Sequence, residues 1–593
     1  VTFNIKAVRG FIRQSVKILF KWLNRRSQRK SFSWEKFCLF NVKFLTQSFS
    51  GYPILIVQGT QLLNKIKGLD KEEYKKKIYQ STDKIATNIS MAIQELKPSA
   101  VQLLNKIALL NNQSFSKQLL TIITDYKDTL DDDIYQLSKF MLISNINPNE
   151  DNPIFEMHDI VSNKIMELNG NNNKIYLENI ISKIPKFKGT YSGYLWRGAK
   201  TIPKNLEILL KNSEEYNVDL YAILTLRVEL FSIYMNTYNN KEQQMFDWFN
   251  QKDKNKEFKL WKMSESQKFC YARSLGAIGM YLVILENCDT AISYLTKSLN
   301  VLDKLDDDEA NYSLKVTLLS YTSLAYRFLG EIKLAEEFLK KAEEVAKQGV
   351  IQEIDISIIY FAKSVLYEVQ GKHQESLDWE EKVIELRIKN GLHINDPVLT
   401  GSYIFRAKIL NSLGRYQEAY VQAQQLYDIC KPIKNEDHEI FADIYTEMAR
   451  SELGLGKIDK ASEYINKAIY IFAANENNDS ESTNYSKNVD LADSYIVQGD
   501  ILFAQDNFKQ AIKSYKKAFV IYHYLYGDRS KNIAQVSELY NKGAKAACKS
   551  KDLYNYKFFG KPQIKEFGIH HPNTVDMFEY CKQYNMDIWV KNN

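Results

Sequence analysis

Apolar and small residues return at helical spacing along most of the 593 residues, and runs that alternate apolar with polar are few. Only 10 prolines and 23 glycines interrupt the pattern, so helix is expected throughout. The second half is the most regular. A small residue opens a helix at Ala291, Ala335, Ser376, Ala419, Ala461 and Ala511, at intervals of 44, 41, 43, 42 and 50 residues. Five residues before each lies a turn position: Glu286, Gly330, Gly371, Gly414, Gly456 and Asp506. Glycine there fits a helix that ends in the left-handed conformation. Seven residues beyond each small residue come Ser298, Ala342, Val383, Leu426, Ala468 and Ala518, on the same helix face.

The pattern reads as helix, tight turn, second helix, then a loop to the next pair. Small residues at the crossing let the two backbones approach. A single pair cannot bury its apolar face, so successive pairs stack. The segments 323–342 ("SLAYRFLGEIKLAEEFLKKA") and 391–419 ("GLHINDPVLTGSYIFRAKILNSLGRYQEA") resemble the long tetratricopeptide repeat of about 42 residues seen in kinesin light chains. The resemblance covers residues 265–547 and implies an all-α, right-handed α-solenoid that binds a protein or peptide. Ser376, Glu286 and Asp506 depart from the repeat's alanine and glycine, and the 50-residue interval holds a polar insertion at 473–487. In such an array the first helix of each pair lines the concave groove. The register places Leu324, Val365, Lys408, Arg450 and Asp500 on one stripe, with Arg327, Asn411 and Phe503 a turn further. Arg327, Lys408, Asn411 and Arg450 are thus candidate partner-binding residues, suited to carboxylates or the backbone of an extended peptide.

The first half reads differently. Residues 99–125 are two helices joined by a polar turn, followed by a helix, a strand at Met141–Ile146, a strand ending at Phe155–Met157 and a closing helix. That order suits a small winged helix, expected over 81–175. Met157-His158-Asp159 at the last strand-to-helix corner, with Gly51-Tyr52-Pro53 upstream, resembles the winged-helix part of the NB-ARC/STAND nucleotide switches. The resemblance implies that His158 senses the β-phosphate of ADP, that Asp159 caps the next helix and that Pro53 lies on the adenine side. His158 and Asp159 would take that cofactor-binding role only with a nucleotide domain supplied elsewhere, because the chain holds no G-x-x-x-x-G-K-[ST] loop. No cofactor is otherwise expected.

Charge and composition narrow the rest. Nine of the 79 basic residues lie in 1–34, which holds no acid, leaving 70 against 72 acids over the other 559 positions. The net charge of +7 therefore belongs to the N-terminal segment, and a nucleic-acid partner is disfavoured for the body. The winged-helix recognition segment itself has only Lys97, Lys106 and Lys117. No apolar run spans a bilayer, which disfavours a membrane partner. Six scattered cysteines without C-x-x-C point to reduced thiols. Adjacent His570 and His571, even with Cys581, lack the spacing to close a metal site. No catalytic constellation stands out.

The expected organisation is a basic segment (1–34), a helical remnant of a nucleotide-switch module (35–80), the winged helix (81–175), a helical connector (176–264), the repeats (265–547) and a C-terminal cap (548–593). The function expected is a non-enzymatic interaction scaffold, the repeat-bearing C-terminal part of a STAND-type regulator in a bacterial cytoplasm. The alternatives are a DNA-binding regulator and a secreted effector that binds a host protein.

Overall fold

All six turn positions have positive φ, including the two that are not glycine: Glu286 (57°), Gly330 (73°), Gly371 (72°), Gly414 (72°), Gly456 (76°) and Asp506 (56°). Each turn is closed by the same bond, in which the N–H one residue beyond the turn position donates to the carbonyl five residues back. Asn287 N to Leu282 O (2.9 Å) and Lys457 N to Glu452 O (2.8 Å) are two of them. This is the Schellman arrangement, which satisfies carbonyls a helix end would otherwise orphan.

The computed structural model describes residues 70–147, 152–184, 201–234, 241–255, 258–306, 308–394, 396–432, 435–476, 489–526 and 534–584, with isolated positions between 44 and 63. The basic segment 1–34, Pro53 and most of the insertion at 473–487 lie outside them. The chain divides into two compact units: one holds residues up to 186 with 195–230, the other 187–194 with 231–593.

In the first unit, α1 (Lys71–Gln80), α2 (Lys84–Gln94) and α3 (Pro98–Ile107) lead to β1 (Phe115–Ser116). Then come α4 (Lys117–Ile123), α5 (Leu130–Lys139), β2 (Ser144–Asn145), β3 (Ile154–Glu156), α6 (Asp159–Asn169), α7 (Asn172–Lys183) and α8 (Ile202–Glu215). α9 (Leu220–Tyr234) crosses the boundary between the units. The strands form an antiparallel sheet in the order β1-β3-β2, with Phe115 opposite Phe155 and Ser144 opposite Glu156. β1 occupies the stretch that the sequence presents as a polar turn between two helices.

In the second unit, α10 (Lys241–Lys254) precedes a run of helix pairs. They are α11 (Glu265–Ile284) with α12 (Cys288–Leu302), α13 (Glu309–Phe328) with α14 (Ile332–Gln348), and α15 (Glu353–Val369) with α16 (His373–Lys389). α17 (Pro397–Ser412) with α18 (Tyr416–Cys430), α19 (Glu439–Gly454) with α20 (Ile458–Glu476), and α21 (Val489–Ala504) with α22 (Phe508–Tyr526) follow. The small residues at the crossings, Ala291, Ala335, Ser376, Ala419, Ala461 and Ala511, are all fully buried. Ser376 keeps its place through reciprocal bonds: its Oγ donates to Ser364 O and Ser364 Oγ donates to Ser376 O, both at 2.8 Å.

A seventh pair, α23 (Ala534–Lys549) with α24 (Leu553–Pro562), runs from the end of the stretch read from sequence as repeats into the stretch read as a cap. Its turn residue Lys551 has φ 53°, and Asp552 N donates to Ala547 O at 2.9 Å. The residue five beyond the turn is Tyr556, not a small one, which is why the pair escapes the pattern. α25 (Pro572–Lys582) then packs on α23, with Met577 and Cys581 buried and Asn541 Nδ2 donating to Asp576 Oδ2 at 2.7 Å. The expectation that all cysteines are reduced thiols is corrected here: Cys548 of α23 and Cys581 of α25 form a disulfide. Helix packing brings together two residues 33 apart in sequence, which spacing alone could not reveal.

Candidate functional site: the wall of first helices

First helices of successive pairs come together, and side chains on them meet across long stretches of sequence. Lys408 Nζ on α17 lies 2.6 Å from Asp493 Oδ2 on α21, reaching past the whole of α19. Arg450 on α19 sits between them, its Nε 3.4 Å from Glu447 Oε2 and a terminal nitrogen 3.9 Å from Asp493 Oδ2. On α23, Lys542 Nζ reaches Asp500 Oδ2 at 2.7 Å and Glu538 Oε1 at 2.8 Å. Second-helix tyrosines support the acids from behind: Tyr515 OH donates to Asp500 Oδ1 (2.8 Å) and Tyr522 OH to Asp493 Oδ1 (3.0 Å).

Three of the sequence-derived binding residues are thus brought together, but with their charges already answered. Asn411 Nδ2 donates to Glu447 Oε2 at 2.9 Å, and its Oδ1 accepts from Ser451 Oγ at 2.8 Å. Arg327, on α13, has its guanidinium 3.9 Å from the centre of the Phe328 ring and lies apart from this network. Leu324 and Val365 are buried in the core and line no groove. The stripe read from sequence is polar only from Lys408 onward.

Lys408, Arg450 and Lys542 are faced by six carboxyls: Asp443, Glu447, Asp490, Asp493, Asp500 and Glu538. Burial works against the charge on all three bases, yet the acids outweigh it and raise each of them. Burial also works against the Asp493 carboxylate, but Lys408 and Arg450 overcome it and hold its pKa down. Lys542 holds Glu538 low. Asp443 and Asp490 fare otherwise. Surrounding protein, and then Asp490 itself, push Asp443 far above the carboxylate range. Asp490 is pushed up to about 6, chiefly by the protein around it, with Lys408 opposing and Asp493 adding. Two neighbouring carboxyls on an open wall that resist ionisation mark the place where a cation gains most.

The Met157-His158-Asp159 corner in the first unit has a different outcome from its expectation. His158, not Asp159, is the N-cap of α6: its Nδ1 accepts from Ile160 N at 3.2 Å. Asp159 is the first helical residue and accepts from Asn112 Nδ2 at 2.6 Å. An accepting Nδ1 puts the proton of neutral imidazole on Nε2, leaving that nitrogen a donor. The same cap recurs at His438 on α19 (3.2 Å to Ile440 N) and His571 on α25 (3.3 Å to Asn573 N). The three lysines of the recognition segment are paired: Lys97 with Asp132 and Lys117 with Asp131, both at 2.6 Å, and Lys106 with Asp125. No helix among the described residues is long and apolar enough to cross a membrane.

The tetratricopeptide repeat family matches residues 442–475 and 492–519, across α19–α20 and α21–α22. No curated protein matches the chain in sequence. Among solved structures, the chain is similar to a Signal Transduction ATPase with Numerous Domains (STAND) protein with a tetratricopeptide repeat sensor from Pyrococcus horikoshii. That match has 17% identity over 89% of this chain and 74% of the other, with a TM-score of 0.41. It is similar to BtubC from P. vanneervenii at 18% identity, over 40% and 92%, with a TM-score of 0.31. It is also similar to a Rap protein solved with Competence and Sporulation Factor, at 12% identity over 62% and 96%, with a TM-score of 0.44. The left-handed turns, the buried small crossings and the family match over α19–α22 give the helix pairs α11–α22 the fold of a tetratricopeptide-type α-solenoid.

Proposed function

We propose that this chain is a non-enzymatic scaffold whose repeat groove binds a basic segment of a partner polypeptide. The observation that carries the reading is the set of six carboxyls on α19, α21 and α23 facing Lys408, Arg450 and Lys542, with Asp443 and Asp490 pushed up. A lysine or arginine side chain laid along that wall would draw both into the ionised form. Lys408 and Arg450 then act as the fixed counter-charges that hold Asp493 and Glu447 in place, not as ligands for partner carboxylates.

The wider assignment is the repeat-bearing C-terminal part of a STAND-type regulator. It is supported by the order α3-β1-α4-α5-β2-β3-α6 and the β1-β3-β2 sheet, the arrangement of a winged helix. The donor nitrogen of His158 at its strand-to-helix corner suits a phosphate oxygen, and ADP or ATP would enter only with a nucleotide domain from another chain. The caps at His438 and His571 show that the same geometry also serves a purely structural end.

The test is binding of two extended peptides, one lysine-rich and one glutamate-rich, measured by fluorescence anisotropy. The lysine peptide should bind at least tenfold more tightly, and more tightly at pH 8 than at pH 5, because Asp490, pushed up to about 6, loses its proton as pH rises. Asp443→Asn with Asp490→Asn should erase the preference. Preferential capture of the glutamate peptide, lost on Lys408→Ala with Arg450→Ala, would reverse the assignment of charge.

A further inference from the structure

The outer helix of the sixth pair differs from its counterparts. α22 carries Lys509, Lys513, Lys516 and Lys517 and no acid, and α24 beside it carries Lys557 and Lys561 and no acid. Other outer helices carry acids, and some pair them within the helix, as in Lys341 with Glu337 on α14 (2.8 Å) and Lys467 with Glu463 on α20 (2.5 Å). Lys509, Lys513 and Lys517 are exposed, and among the described residues no carboxylate pairs with them. Lys509 and Lys513 also stand in the first two turns of α22, where the helix dipole disfavours a cation. Fold stability gives no reason for that placement.

The basic positions continue into an apolar strip. Lys509, Lys513, Lys517, Val520 and Tyr524 follow one another at steps of four, four, three and four, a single stripe about 22 Å long on α22. Val520 and Tyr524 are 39% and 55% exposed. On α24, Leu553 and Tyr554 are 45% and 73% exposed, and Lys516 Nζ lies 5.2 Å from the Tyr554 ring centre and 4.6 Å from that of Phe558. Along α22 the stripe is cationic at its start and apolar at its end, and Leu553 and Tyr554 of α24 extend it sideways beside Lys516.

We propose that this outer face docks an acidic segment of a partner polypeptide whose carboxylates are followed by apolar side chains. Charge complementarity selects an anion for Lys509, Lys513 and Lys517. The aliphatic Val520 and Leu553 select a polypeptide over a polynucleotide, since neither phosphate nor a stacked base gains from covering them. The polarity of the stripe fixes direction: acidic residues lie over the start of α22 and apolar ones over its end. This face is separate from the groove of first helices, so the two sites are tested apart.

The experiment uses the full chain and a 14-residue peptide of four glutamates followed by leucine and phenylalanine residues. Binding by anisotropy should weaken at least tenfold in Lys509→Glu/Lys513→Glu/Lys517→Glu and severalfold in Tyr554→Ala, with unchanged circular dichroism. Binding of the lysine peptide in the groove should not change. Equal binding of the acidic peptide to the triple variant would overturn the proposal. So would tighter binding of the wild type to phosphatidylserine vesicles or to a single-stranded oligonucleotide than to the peptide.

Discussion

The third helix pair and the fifth and sixth pairs share one backbone plan but hold charge in opposite ways. Around α19 and α21 the acids, buried Glu447 and Asp493 among them, are answered by Lys408, Arg450 and Lys542. Around α15 and α16, Asp355 and Glu380 are fully buried, with only serine hydroxyls and the Arg387 charge to offset the loss of water. Burial pushes Asp355 up to about 7, with Ser313 opposing and Glu309 adding, and pushes Glu380 up to about 7 against the pull of Arg387. The apolar core follows the same division. One cluster runs unbroken from Ala423 on α18 to Cys581 on α25. Near α16 and α17 the clusters shrink to groups such as Leu377, Ile409, Leu410 and Ala419, or Ile384, Leu392 and Leu399. The repeat geometry tolerates charge on the wall at little cost, while the same charge within the stack leaves a polar seam that weakens as it ionises.

The largest effect should come from removing that seam's charge. Between about pH 4 and 7 the folded state keeps protons on Asp355 and Glu380 that the unfolded chain releases, so stability falls as pH rises through that window. As upper figures, Asp355 then costs roughly 4 kcal/mol and Glu380 roughly 3 kcal/mol at pH 8. Asp355→Asn with Glu380→Gln should raise stability at pH 8 by about 1–3 kcal/mol, less than the full sum because a buried amide also wants partners. Urea unfolding from pH 5 to 8 reads this out; a wild type with flat stability over that range would dissolve the contrast between the two regions.

A smaller effect tests what the pairs share. Glu286 and Asp506 hold the left-handed turn that glycine holds elsewhere. Glu286→Gly and Asp506→Gly should each stabilise by about 0.5 kcal/mol, the steric relief being partly offset by a freer unfolded chain. Loss of stability in both variants would mean that side-chain contacts, not the turn, decide those positions.

The turns were legible in sequence because left-handed backbone selects glycine so strongly that four of six positions keep it, and the spacing then located Glu286 and Asp506. The crossings were legible because close helices exclude large side chains, and Ser376 fits by bonding to Ser364. Lys551 and Tyr556 carry neither signal, so in sequence the repeats end at 547 and α24 falls in the cap. β1 has two residues, too short for alternation to register. At the site, Lys408, Asn411 and Arg450 were found by register alone. Their acids were missed because Glu447 lies three residues before Arg450 and Asp493 seven before Asp500, on the same faces but off the one stripe followed. Helical spacing applied to the acids as well would have found them.

Hydrogen exchange of the full chain with and without the lysine-rich peptide tests the central claim most directly. The account predicts slowed exchange on α17, α19, α21 and α23, with α18, α20 and α22 unchanged and the effect absent in Asp443→Asn/Asp490→Asn. Protection confined to the outer helices, or undiminished in that variant, would contradict it.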